Sequence, residues 1–127
     1  MKLNTHLKID QSLNGEVIEL KENYAKIELK TTSIMKADEQ GLVHGGFIFG
    51  AADFAAMACV NDPFVVLAKS EVKFLAPVKV GQSIVFEANT EETVGRKYRV
   101  KVVGTSQNKE VFTGTFYAVV LDKHVLS

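Results

Sequence analysis

The most constraining part of the sequence is residues 45–61, GGFIFGAADFAAMACVN, which has the length of a helix and no polar face. Apolar side chains occur on every side of a helical wheel drawn through it, and Asp53 is its only ionisable residue. Such a helix must be wrapped on nearly all sides. Because the segment is shorter than the roughly 20 residues that cross a bilayer, we expect a buried helix of a soluble protein.

Six segments with the alternation of β-strands flank this helix. Residues 17–20 and 25–29 precede it and predict a hairpin, with Asn23 as the turn former. Four further segments, each begun or ended by a turn-forming residue, follow it: residues 65–75, 83–91, 97–105 and 110–122. The order β-β-α-β-β-β-β predicts the α+β class, with a curved antiparallel sheet wrapped around one long central helix.

The length and charge of the chain set further limits. With 127 residues, 46% of them hydrophobic, we expect a single domain over residues 1–127. Fifteen basic and fifteen acidic residues give no net charge, so no overall positive field attracts nucleic acid or an anionic membrane.

Cys59 is the only cysteine, so the chain can form neither an internal disulfide nor a cysteine-based metal site. No metal or bound cofactor is therefore expected. The first residues, MKLNTHLKIDQSLNGE, contain no apolar stretch long enough for a signal peptide. Both features favour the reducing cytoplasm.

Asp53 is the first candidate for chemistry, because its neighbours one helical turn away are all apolar or glycine. Burying a carboxylate in such surroundings is costly and raises its pKa, which suits a general base or a nucleophile. The alternative is that Asp53 bonds a backbone group or solvent at the helix surface. We favour the chemical role, because the surrounding helix has no other polar position.

The sequence His44-Gly45-Gly46 stands directly before the apolar run. Two glycines at a helix start let a ligand approach the backbone, where free N–H groups can bind an oxyanion or a phosphate. Glycine pairs more often only turn the chain, and His44 can equally cap the helix or hydrogen-bond a carbonyl group.

The spacing of these two candidates predicts an oligomer. Eight residues separate Gly45 from Asp53, which is roughly 12 Å along a helix axis. An aspartate side chain cannot span that distance to reach a carbonyl held at the Gly45 amide. If both groups act on one substrate, Asp53 must come from a second chain whose helix runs alongside in the opposite sense, in a two-fold dimer.

Residues 41–61, GLVHGGFIFGAADFAAMACVN, followed by residues 72–81, VKFLAPVKVG, resemble the hotdog thioesterases of the PaaI-like type. In that family HGG opens the central helix and an acidic residue nine positions after the histidine is catalytic. The resemblance implies a hotdog fold and acyl-CoA thioester hydrolysis. Gly45, with Gly46, would polarise the thioester carbonyl, and Asp53 of the partner subunit would attack it or activate water.

The sequence departs from that family pattern near the mouth of the site. Many members carry asparagine six positions before the histidine, where this chain has Asp38. We expect His44, Asp38 and Phe47 to contact the substrate, although Phe47 can instead fill the core. Ser70 is the nearest candidate for a small polar residue that some members use after the helix.

A second resemblance keeps a non-catalytic function open. VKFLAPVKVGQ and EVFTGTFYAV resemble the effector domain of bacterial fatty-acid-synthesis repressors, a hotdog that binds malonyl thioesters without hydrolysing them. That domain typically has asparagine in place of Asp53, which favours the enzyme. A hotdog dehydratase is disfavoured, because it pairs a histidine with its acid differently and His6 and His124 lie near the termini. The acyl group, and the choice between dimer and tetramer, stay open.

Overall fold

The computed structural model describes all 127 residues, and its main elements follow the predicted order. The strands are β1 (Glu16–Lys21), β2 (Tyr24–Lys30), β3 (Val65–Phe74), β4 (Ser83–Val94), β5 (Lys97–Ser106) and β6 (Lys109–Val120). The helices are α1 (Gln11–Asn14) and α2 (Gly45–Val60), with a 3-10 turn at Ser33–Met35. The strands form one antiparallel sheet in the order β1-β2-β4-β5-β6-β3, so β1 and β3 are its two edges.

The predicted strands and the long helix are confirmed, with ends that move by a few residues. The helix stops at Val60 because Asn61 adopts a left-handed conformation with φ of 55°. The largest difference is in β4, which runs on to Val94 and stays paired with β5 past a bulge between Thr90 and Glu92. Helix α1 and the 3-10 turn were not predicted, because three or four residues are too few to show a helical period.

The sheet covers α2 on most of its circumference. Three large aromatic side chains from two strands are fully buried against it: Phe86 of β4, and Phe112 and Phe116 of β6. The wrapping is less complete than the sequence predicts. A row of residues that we call the open stripe is not fully buried: Gly46, Phe49, Gly50, Asp53 and Val60. These positions recur every three, four or seven residues, so they share one face of the helix.

Residues 1–14, which we call the N-terminal segment, run back along α2 beside the open stripe. The segment is tied to the end of the helix by the Asn61 side chain, whose Nδ2 donates to the Lys2 carbonyl at 2.8 Å. Further along, the His6 ring stacks on Phe54, with ring centroids 6.1 Å apart. The segment ends in α1, which packs against α2.

Gly15 lets α1 pack this closely. Its φ is +93°, and a Cβ atom there would lie 2.5 Å from the Ile27 side chain of β2. Only glycine can end α1 at this position without displacing the sheet. None of the helices combines the length and hydropathy that spanning a bilayer requires.

Candidate functional site

The start of α2 is held in place by the loop that precedes it. The His44 N–H donates to the Met35 carbonyl at 2.8 Å, and the Val43 N–H donates to the Val78 carbonyl at 2.9 Å. The Asp38 carboxylate supports the same loop, because its Oδ1 accepts the N–H groups of Gln40 and Leu42 at 3.0 and 3.2 Å. The first turn of α2 therefore begins from an anchored backbone.

The first N–H groups of α2 are available to a ligand. Neither Gly45 nor Gly46 donates its backbone N–H to any acceptor in the chain, whereas the Phe47 N–H bonds the His44 carbonyl at 3.1 Å. Gly46 is exposed and Gly45 is half-buried. Two free donors at a helix start form a favourable site for an oxyanion, because the helix dipole adds to their charge.

The His44 side chain does not cap the helix. No side-chain hydrogen bond joins it to the first turn, and its exposed ring lies edge-on to Phe47, with centroids 6.2 Å apart. Phe47 itself is half-buried and packs against the core. The capping alternative is therefore wrong for the imidazole, which is free to meet a ligand at the helix start.

Asp53 lies on the open stripe between two buried neighbours, Ala52 and Phe54. Its Oδ1 is enclosed and has no hydrogen-bond partner within the chain. Burial raises the pKa of Asp53 from its ordinary 3.8 to about 6, with desolvation as the cause. The predicted upward pKa shift is thus present in the structure of the single chain.

Within one chain, the free N–H groups and Asp53 do not converge. They lie on a regular helix, roughly 12 Å apart along its axis. Five surface depressions lie elsewhere on the chain: none of them is lined by Gly45, Gly46 or Asp53. A single chain therefore does not enclose a substrate between these groups.

One of these depressions lies beside the loop that leads into α2. It has a volume of about 390 Å³ and is lined by Asp38 and Lys79 among others. Asp38 therefore both supports the loop before α2 and lines this depression. Ser70 lies on β3 opposite Phe116 of β6, and no hydrogen bond links it to Asp53 or to the helix start.

The sequence analysis did not predict that the N-terminal segment lies next to the candidate site. His6 stacks on the residue that follows Asp53, and the Asn14 carboxamide oxygen lies beside Gly50, one turn before Asp53. The signals were present in Asp10, which caps α1, and in Gly15, which ends it. Capping signals around so short a helix are weak without a tertiary context.

Comparison with known families gives one match that covers more than half of the chain. The model of the thioesterase superfamily matches residues 40–113, which extend from the loop before α2 into β6. The match includes His44, Gly45, Gly46 and Asp53. The N-terminal segment lies outside it.

Two curated relatives match almost the whole chain but are longer. The methylthioribose-1-phosphate isomerase of Aquifex aeolicus is 50% identical over 95% of this chain, which spans 26% of that protein. The transcription factor FapR of Caldanaerobacter subterraneus is 31% identical over 88% of this chain, which spans 56% of that protein. The names of both relatives describe proteins that extend well beyond the region they share with this chain.

Two solved structures are similar to this chain over most of its length. An uncharacterized protein of Pyrococcus horikoshii has a TM-score of 0.98 and 49% identity, covering 100% of this chain and 98% of that one. The PaaI protein of Escherichia coli, from the phenylacetic acid degradation operon, has a TM-score of 0.81 at 21% identity, covering 90% and 84%. These likenesses, together with the family match, confirm the predicted hotdog fold.

Proposed function

The chain belongs to the thioesterase superfamily, and from that premise we propose that it is an acyl-CoA thioesterase that acts as a homodimer. The observation that carries the proposal is the pairing of features on α2. Two N–H groups without acceptors open the helix, and a desolvated carboxylate without a partner lies on its open stripe.

The two features suit the two halves of thioester hydrolysis. The Gly45 N–H, with that of Gly46, binds the carbonyl oxygen as negative charge develops on it. Asp53 of the partner subunit acts as the base or the nucleophile. A pKa of about 6 leaves Asp53 ionised at neutral pH and makes it more basic than an ordinary carboxylate, as general-base catalysis requires.

Geometry supports the proposed dimer. A carbonyl held at Gly45 is out of reach of Asp53 in the same chain, and a two-fold axis that sets the α2 helices side by side and antiparallel removes that separation. Strand β3 supports such an axis, because its outer edge has no partner in the chain and unpaired edges invite pairing with another copy. Phe74 and Leu75 at its end are 52% and 47% exposed. Two dimers could still associate into a tetramer.

Around this centre we assign His44, Asp38 and Phe47 to substrate binding. His44 and Phe47 stand at the helix start, where the thioester would lie, and Asp38 lines the adjacent depression with Lys79. Coenzyme A enters as part of the substrate, so no separate cofactor is assigned. We propose a cytoplasmic location on the basis of the single, buried cysteine.

Replacing the carboxylate tests the proposal. We expect Asp53→Asn to abolish steady-state thiol release from a panel of acyl-CoAs while ligand binding, measured by thermal shift, is retained. The matched control is Asp122→Asn, which removes an exposed carboxylate from a surface ion pair with Arg96 and should leave turnover unchanged. Unchanged turnover in the Asp53→Asn variant would refute Asp53 as the catalytic group.

The assembly state gives an independent check. Analytical ultracentrifugation should show a species of at least twice the chain mass of 14.0 kDa. A protein that stays monomeric at assay concentration yet hydrolyses acyl-CoA would contradict the shared site.

A second candidate function rests on the match to FapR. In that case the chain is a non-catalytic acyl-CoA-binding sensor or regulatory protein related to fatty-acid metabolism, with the same fold and pocket. The same two assays separate the candidates. Thermal stabilisation by an acyl-CoA without thiol release would favour the sensor.

A further inference from the structure

The side-chain carboxamide of Asn14, a residue outside the family match, lies next to the open stripe of α2. Asn14 is the last residue of α1, and its Oδ1 lies 3.1 Å from the point where a Cβ atom on Gly50 would stand. Gly50 is on the open stripe, one helical turn before Asp53. The N-terminal segment therefore places a polar group beside the open stripe of α2, which also contains Asp53.

The orientation of this carboxamide is fixed. The Asn14 backbone N–H and the side-chain Nδ2 both donate to the Asp10 carbonyl at 3.0 Å. Since that carbonyl can only accept, the nitrogen end of the amide must face Asp10 and the oxygen end must face α2. The Oδ1 accepts no hydrogen bond from any group of the chain.

General helix geometry directs the Asp53 side chain toward the same place. Side chains on a helix point back toward its N-terminus and lie over the preceding turn, which here contains Phe49 and Gly50. Asp53 Oδ1 is enclosed, and the carboxylate has no hydrogen-bond partner in the chain. The more open oxygen, Oδ2, and Asn14 Oδ1 are therefore the two unpartnered acceptors beside Gly50.

A water molecule is the group that two neighbouring acceptors can hold. It has two O–H donors, so it can donate one to each acceptor and keep a lone pair free. We propose that Asn14 is a water-positioning residue, which with Asp53 of the same protomer orients the water that attacks a thioester bound at the partner's helix start. This inference rests on the proposed function and assigns Asp53 the role of general base.

Atoms and protons balance in the hydrolysis that this water performs. The water oxygen bonds to the carbonyl carbon while one water proton passes to the Asp53 carboxylate. The second O–H remains donated to Asn14 Oδ1. The carbon–sulfur bond then breaks, and the thiolate leaves with the proton held by Asp53, giving a carboxylic acid and a free thiol.

Gly50 gains an explanation from this arrangement. Glycine inside a helix costs roughly 0.5–1 kcal/mol relative to alanine, and Gly50 has an ordinary helical φ. The backbone therefore does not require glycine there. A Cβ atom would instead press on Asn14 Oδ1, at a distance tighter than normal contact.

The experiment compares Asn14→Ala, Gly50→Ala and the double variant in the full-length protein, with acyl-CoA hydrolysis followed by thiol release. Each single substitution should lower kcat about tenfold, the cost of one lost hydrogen bond in the transition state, with KM changed less than twofold. Because Gly50→Ala acts by displacing Asn14, the double variant should lose no more than Asn14→Ala alone. Thermal unfolding should show Gly50→Ala folded and not destabilised.

The control is Asn4→Ala, which removes an exposed asparagine side chain from the other end of the N-terminal segment, where only the backbone N–H of Asn4 is bonded. Wild-type kcat in the Asn14→Ala variant would overturn the inference while leaving the role of Asp53 intact. Multiplied losses in the double variant would also overturn it, because the added methyl group at position 50 would then obstruct the substrate directly. If the unmodified protein releases no thiol from any acyl-CoA, the proposed function and this inference both fall.

Discussion

The two halves of α2 have similar sequences and different surroundings. Residues 54–59, FAAMAC, are all buried. In residues 45–53 only Ile48, Ala51 and Ala52 are buried, and the rest stay partly or fully open. One apolar helix is therefore fully buried core at its end and partly open, beside the candidate site, at its start.

The difference comes from side-chain size and from what packs against each half. The first half contains three glycines, which leave its backbone near the surface, whereas the second contains none. The second half is also closed by the N-terminal segment, through His6 on Phe54 and the Asn61 bond to Lys2. A uniformly apolar helix sequence therefore does not predict how completely the helix is buried.

Asp53 and Cys59 make the same contrast at the level of single groups. Burial raises the pKa of both, and desolvation is the largest cause in each case. Cys59 is 1% exposed and its Sγ lies 3.3 Å from Oγ1 of Thr90, so it is enclosed and partnered. Asp53 is partly open and unpartnered. Desolvation marks a reactive site only where a ligand can also reach the group.

The largest expected effect is on stability, and it compares how much a buried side chain in each half of α2 contributes to the free energy of unfolding. Phe54→Ala should lower the free energy of unfolding by about 3–5 kcal/mol, because Phe54 is fully buried and its loss leaves a cavity. Phe47→Ala, in the half-buried first turn, should cost only about 1–2 kcal/mol and should mainly raise KM. Urea denaturation with matched m-values measures both. Equal losses would show that the first half is as much core as the second.

The next largest effect is a loss of kcat when a substitution removes one backbone N–H donor from the start of α2. Gly45 is the first residue of α2, where proline is well tolerated, and His44 has φ −65° and ψ 131°, an extended conformation that proline accepts before it. Gly45→Pro should therefore keep the fold while kcat falls roughly a hundredfold to a thousandfold. Gly45→Ala retains the N–H, and its Cβ would meet Phe74 at an ordinary 3.4 Å, so it is the matched control.

Mixed dimers extend this prediction. If each site takes Gly45 from one chain and Asp53 from the other, refolding the two inactive variants Gly45→Pro and Asp53→Asn together creates one intact site in each mixed dimer. About a quarter of the wild-type activity should return, since half of the dimers are mixed and each has one site. No recovery, with mixed dimers verified by mass, would contradict a site shared across the interface.

The main elements of the fold were predictable because each of the six strands and the long helix has a local signal. Two-residue alternation predicted the strands, and turn formers marked their ends, as with Asn23, whose φ is +59°. The order of strands across the sheet, with β3 at the edge beyond β6, does not follow from local patterns. It depends on contacts between residues far apart in sequence, which one sequence does not reveal.

Only the central part of the candidate site has a signal in the sequence. Asp53 was noticed because a charge in an apolar helix is anomalous, and the glycine pair because it stands at a helix start. Asn14 has no such anomaly: an asparagine in a polar stretch looks like a loop residue. Its position beside Gly50 arises from the four-residue α1 and from the tight turn at Gly15, which only the packed structure shows.

The smallest expected effect concerns stability and pH. The pKa of Asp53 is about 6 when folded, against an ordinary 3.8, so between these values the folded protein retains a proton that the unfolded chain has lost. Stability contributed by the protonated acid is complete below about pH 4 and disappears as pH rises through 6. Asp53→Asn, which cannot ionise, should therefore match wild type at pH 4 and exceed its free energy of unfolding by about 2–3 kcal/mol at pH 8. Asp122→Asn, at an exposed position, should show no such divergence from wild type when each protein is followed by chemical denaturation across pH.

If Asp53→Asn and wild type keep a constant difference in free energy of unfolding from pH 4 to 8, the carboxylate is solvated like an ordinary surface acid. The contrast between the two halves of α2 then loses its electrostatic basis.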